Sequence, residues 1–175
     1  YDSHVRPDPE TNVLLEWIDA SALLWRLRLD DVDTGDRFGQ LGDCWVRAID
    51  DRHYAFNDVH AIMAFLGAGQ SERVDRCLAS LRLAVQADDD NGRVARTVGL
   101  PLAEAFQTYE QGRYADAARD ILAVRPFAHE FGGSHAQRDI LSLTALHAAR
   151  KGGLRDEEAA LATERHRQKP NSVWA

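Results

Sequence analysis

Apolar side chains recur every three or four residues along almost the whole chain, and nowhere do they alternate over a strand-length stretch. That period gathers them on one face of a helix, whereas a half-buried strand needs a period of two. Leu14, Leu15, Ile18, Ala22 and Trp25 form a first stripe, widened by Leu24 and Leu27. Phe38, Leu41, Trp45 and Ile49 form a second, and Val74, Cys77, Leu78, Leu81 and Val85 a later one. Five prolines and twelve glycines fall mostly between such segments. Eight helices follow from this pattern. The first opens at Pro9 with Asp8 as cap and ends near Arg28. The second covers 36–49, the third 58–66 behind Asn57 as cap, and the fourth opens at Ser71 as cap. The fifth covers 93–110, with Pro101 predicting a kink or break near Val98 to Leu100. The sixth covers 114–124, the seventh runs from Ser134 to about Arg150, and the eighth covers 154–168. Ser134 and Gln137 have the spacing of a capping box, in which side chain and backbone satisfy each other's orphan donors.

Composition then narrows what such a chain can do. With 175 residues and 45% hydrophobic content, one domain with its own core is expected over 1–175. A net charge of -7 argues against a nucleic-acid partner. No apolar run approaches the roughly 20 residues that cross a bilayer, so no membrane partner is expected. Cys44 and Cys77 are too few for a disulfide framework and fall on apolar helical faces, which reads as small core residues in a reduced, cytoplasmic protein. Trp17, Trp25 and Trp45 read as packing between helices. Trp174, beyond Pro170, reads as docking onto the last helix or contacting a partner. The acidic clusters Asp30-Asp31-Val32-Asp33 and Asp88-Asp89-Asp90 read as solvated turns.

Eight helices pair as four hairpins. The turn glycines Gly35, Gly69, Gly112 and Gly152 lie 34, 43 and 40 residues apart, the spacing of a helical-hairpin array. The expected fold is therefore all-α, an α-solenoid of about four antiparallel hairpins, each resting on its neighbours. Tyr109-Glu110-Gln111-Gly112-Arg113-Tyr114-Ala115-Asp116-Ala117-Ala118, with Ile121, Val124 and Pro126 beyond, resembles half of a tetratricopeptide repeat. In that motif Gly closes the turn, an aromatic fills the hairpin and Ala lets the helices approach. Three further segments, His53-Tyr54-Ala55-Phe56-Asn57-Asp58-Val59-His60-Ala61, Val98-Gly99-Leu100-Pro101 and Gly132-Gly133-Ser134-His135-Ala136-Gln137-Arg138-Asp139, resemble the tetratricopeptide repeat protein 38 family. The resemblance implies the C-terminal part of a longer helical-repeat protein, cytoplasmic and bacterial, in keeping with an opening Tyr1 in place of Met. It implies no reaction and no cofactor.

The polar residues of those segments supply the candidate site. His53, Asn57, Asp58 and His60 surround the start of the third helix, and His135, Gln137, Arg138 and Asp139 open the seventh. Were the two helix starts to converge, backbone donors and Arg138 would suit an anion. The same residues also suit capping and inter-hairpin pairing, with Asn57, Asp58, Ser134 and Gln137 serving helix starts. Imidazole and carboxylate can ligate zinc, but no His-x-x-x-His or Cys-x-x-Cys spacing directs them to a metal. Gly132-Gly133-Ser134 is too short for a phosphate loop. Two functions follow. One is a non-enzymatic scaffold whose concave face holds a protein or peptide segment, with self-association through the first hairpin as a further expectation. The alternative is an enzyme or small-ligand protein with its pocket at those two helix starts.

Overall fold

The computed structural model describes residues 1–10 and 12–171, and among these the chain is helical with no strand. Trp174 lies outside the described residues. The helices are α1 (Leu14–Leu29), α2 (Arg37–Trp45), α3 (Ala55–Gly67), α4 (Ser71–Ala84), α5 (Asp90–Val94), α6 (Leu100–Glu110), α7 (Tyr114–Val124), α8 (His135–Lys151) and α9 (Arg155–Gln168). Each predicted periodic segment is helical, but several begin elsewhere than the expected caps. Asp8 accepts a hydrogen bond from the Glu10 amide at 2.9 Å in a turn, and α1 starts only at Leu14. Ser71 is the first residue of α4 and its side chain makes no capping bond. Asn57 lies inside the first turn of α3, with Tyr54 at the cap position. Asp89, expected as solvated turn charge, caps α5 by accepting from the Gly92 amide at 2.7 Å.

The break expected from Pro101 is present. A π-helical turn over Ala95–Gly99 joins α5 to α6 with the backbone right-handed helical on both sides, and Pro101, near the start of α6, lacks the N–H that would continue the regular ladder across it. The hairpin turns use left-handed glycines at Gly35, Gly69 and Gly112. At the last turn it is Gly153 that takes this conformation. Gly152 serves a different need, since a Cβ on it would sit 2.6 Å from the Ala115 amide nitrogen at the start of α7.

Helices adjacent in sequence pack as hairpins, α1 on α2, α3 on α4, α6 on α7 and α8 on α9, and successive hairpins meet through α2–α3, α3–α6 and α7–α8. α1 departs from a stack that touches only its neighbours, because it rests on α3 and also on α8. Trp25 shows how. It is fully buried, its ring meets Phe106 of α6 edge-on at 5.0 Å, and its Nε1–H donates to Thr144 Oγ1 of α8 at 3.0 Å. A second tryptophan pair anchors α1 to α2, with Trp17 against Trp45 at 5.3 Å and Trp45 Nε1–H donating to Ser21 Oγ at 2.9 Å. The first hairpin is thereby held by both later ends of the array. Cys44 and Cys77 are buried free thiols, as their apolar positions suggested. Among the described residues no helix is long and apolar enough to cross a membrane.

Candidate functional site

The starts of α3 and α8 do meet, but through aromatic rings and glycine backbone. Phe56, in the first turn of α3, is buried against Phe131 at 5.1 Å between ring centroids. Gly132 and Gly133 both have positive φ, and a Cβ on either would strike a ring, Tyr54 over Gly132 and Phe56 over Gly133. Only glycine meets both demands, left-handed backbone and a ring at van der Waals distance. The Gly-Gly pair is thus a seat for two aromatics at the start of α3, Tyr54 at its cap position and Phe56 in its first turn.

The predicted polar residues are drawn to separate partners around this seat. His60 is enclosed, with Nδ1–H donating to the Phe56 carbonyl at 2.7 Å and its ring 4.4 Å from that of Phe56. Its Nε2 is buried without a hydrogen-bond partner. Burial, against the hydrogen bond to Phe56 and with the nearby charge of Arg26, pulls its pKa down to about 4, so the imidazole is neutral. Asp58 instead neighbours Cys77 of α4, whose thiol lies 3.7 Å from the Asp58 carbonyl. Burial, reinforced by Asp51, pushes its carboxyl up to about 7, and Oδ2 has no partner. Asn57 is half-buried inside α3, while His53 and His135 are exposed.

On α8 the capping box forms as its spacing predicts. Ser134 Oγ accepts from the Gln137 amide at 3.2 Å, and Gln137 Oε1 accepts from the Ser134 amide at 2.8 Å. Arg138 donates to the carbonyls of Gly132 and Gly133, which braces the backbone of the aromatic seat. Asp139 is clamped by α9. Arg165 donates to both its oxygens at 2.9 and 3.2 Å, and Lys169 reaches it at 2.9 Å. Burial would raise the Asp139 carboxyl, but the hydrogen bonds from Arg165 and Lys169 outweigh it and hold the group below the ordinary range. A carboxylate so held is a structural anion, poorly suited to exchanging protons near neutrality. Among the described residues, no group of three or more His, Cys, Asp or Glu is placed to hold a metal ion.

Two sets of polar residues escaped the sequence. Arg26 of α1 donates to the Ala136 carbonyl at 3.1 Å and to Ala22 of its own helix, joining α1 to the start of α8. Its signal was a guanidinium set between Trp25 and Leu27 in an otherwise apolar stretch that also holds Arg28. Arg28, Tyr109, Glu110, Tyr114 and Lys151 line a cleft where three hairpin ends meet; Tyr109, Glu110 and Tyr114 lie in the segment that resembles a tetratricopeptide repeat, but no motif brings Arg28 and Lys151 to them. No family model matches the chain, and no solved structure matches it.

Proposed function

We propose that the chain is a non-enzymatic, TPR-like helical scaffold that binds a protein or peptide segment, a reading that also keeps the resemblance to the tetratricopeptide repeat protein 38 family. The observation that supports it most is the seating of α1. The helices α3, α6 and α8, each the first of a later hairpin, hold one tryptophan-bearing helix among them, with Trp25 sealed between Phe106 and Thr144. Helical arrays recognise polypeptides by laying an apolar helix face into a groove of this kind. Here the chain fills that groove itself, so a partner docks on the outer helices. Exposed apolar side chains are present for such contacts, Leu83 on α4 and Phe127 after α7 among them.

Selection of a random peptide library against the intact chain, followed by hydrogen exchange on the selected complex, tests the reading. The expected result is a family of related peptides that bind saturably and protect a contiguous set of hairpins. Enrichment no better than on a bare support would overturn it.

A further inference from the structure

The cleft at the hairpin ends has a volume of about 390 Å³, within the range of small-ligand sites and too small for a helix. Its walls are Arg28 from the last turn of α1, Asp31, Val32 and Asp33 from the turn after it, Tyr109 and Glu110 closing α6, Tyr114 opening α7, and Lys151 ending α8. Three segments far apart in sequence thus contribute charged or phenolic groups to one hollow.

Matching donors to acceptors shows what the hollow lacks. Glu110 is fully engaged, accepting from Arg28 Nε at 2.8 Å and Nη2 at 2.5 Å. Asp33 is turned to its own loop, where it accepts from the Gly35 amide at 2.8 Å. Lys151 stands over the rings of Tyr109 and Tyr114, its Nζ 5.8 and 5.6 Å from their centroids. The acceptor that reaches it is Asp31, at 3.5 Å, well beyond the about 2.8 Å of a close ammonium–carboxylate bond. Tyr109 is 5% exposed. Its hydroxyl is sealed from solvent and its own proton has no acceptor, while the Lys151 ammonium acts on it by charge and as a hydrogen-bond donor. Buried tyrosine hydroxyls ordinarily find a partner. An ammonium held by one loose carboxylate contact therefore leans on a buried phenol at the wall of the hollow, and it has donors to spare for a bound group.

We infer that this cleft binds the oxyanion group of a small ligand, a carboxylate or a phosphate. Lys151 supplies the charge, the buried Tyr109 hydroxyl positions its ammonium, and the ligand takes the place of the Asp31 carboxylate on Lys151. Arg28 stays neutralised by Glu110 and serves as wall. The inference does not depend on the scaffold reading, since it concerns a small molecule at the hairpin ends and not a polypeptide on the outer helices.

Lysine spectroscopy reads this site cleanly, because Lys151 and Lys169 are the chain's two lysines and Lys169 is paired with Asp139 elsewhere. In protein carrying labelled lysine, inorganic phosphate and succinate are titrated separately at constant ionic strength, to distinguish the two anion chemistries. Saturable movement of the Lys151 signal by at least one of them, with Lys169 still, is the expected result. Asp31→Asn removes the internal competitor and tightens binding roughly two- to fivefold. Tyr109→Phe keeps the ring against Trp25 and weakens binding about two- to tenfold. Equal, unsaturated drift of both lysines with either anion, to roughly twenty times a millimolar Kd, would overturn the inference, as would wild-type affinity in Asp31→Asn. Because Asp31 is an exposed turn residue, that second variant keeps the test decisive even if Tyr109→Phe folds poorly.

Discussion

The starts of α3 and α8 lie against each other, yet they are built in opposite ways. α8 is capped from within, by Ser134 and Gln137 three residues apart. α3 is capped from outside. Asn91, in α5, accepts from the Ala55 amide at 3.3 Å and donates to the Arg52 carbonyl at 2.8 Å. Between the two, Phe56 and Tyr54 press on Gly133 and Gly132. One helix start is thus a local device and the other a tertiary one, and α3 can form as it does only when the rest of the array is in place. The largest effect is accordingly expected at the seat. Phe56→Ala should destabilise the fold by about 3–5 kcal/mol, read as a fall in the urea midpoint, and should loosen the first turn of α3 before α8 frays. A loss under about 1 kcal/mol would show that the seat does not organise α3.

This contrast also explains what was legible in the sequence. Apolar periodicity is a local property, so the existence and order of the helices could be read directly, and so could the break at Pro101 and the capping box at Ser134. Asn57 was misplaced as a cap because it has the right chemistry in the wrong register. Burial of Phe56 against Phe131, with Asn91 capping from a distance, starts α3 at Ala55. The sequence offers convergence of the two candidate segments only as a condition; they do meet, but Gly132, Gly133, Tyr54 and Phe56 make the contact, while Asp58 neighbours α4 and Asp139 pairs with α9. The pairs Arg28 with Glu110 and Lys151 with Asp31 join separate hairpins, so their meeting depends on how hairpins stack, which no spacing records.

A second difference between the two helix starts is their response to acid. α3 carries two buried groups shifted in opposite directions. His60, with its pKa pulled down to about 4, contributes stability that is complete above its unfolded value near 6.5 and is lost as pH falls towards 4, roughly 3 kcal/mol in all. Asp58, pushed up to about 7, does the reverse. Its contribution is complete below the unfolded value near 4 and is lost as pH rises towards 7. Between those limits the slopes offset one another. Asp58→Asn, which cannot ionise, should raise stability at pH 8 by about 2 kcal/mol and leave the His60 slope uncovered. Urea unfolding between pH 4.5 and 8 would then show a steeper acid limb than in the wild type. Parallel profiles for the two proteins would show that Asp58 is not held near neutrality.

Asn91→Ala severs the outside cap and should cost about 1 kcal/mol. The telling readout is hydrogen exchange. The amides opening α3 should exchange faster although the substitution lies in α5, while those opening α8 stay protected. Faster exchange confined to α5 would mean that α3 holds its first turn unaided.

The smallest effect is expected at the capping box, and its smallness is informative. Ser134→Ala removes the acceptor for the Gln137 amide, a bond of 3.2 Å at an exposed helix start. The Gln137 side chain can still accept from the Ser134 amide, and water can reach the freed donor, so the loss should be about 0.5 kcal/mol, at the low end for a cap. Arg138 continues to hold the Gly132 and Gly133 carbonyls, so the aromatic seat and the start of α3 should be undisturbed. Combined with Asn91→Ala, the two losses should add within about 0.5 kcal/mol if the caps are independent. A combined loss clearly larger than the sum would mean that both caps support one cooperative unit, with the seat transmitting strain from α8 to α3. The contrast between a local and a tertiary helix start would then reduce to two supports of a single junction.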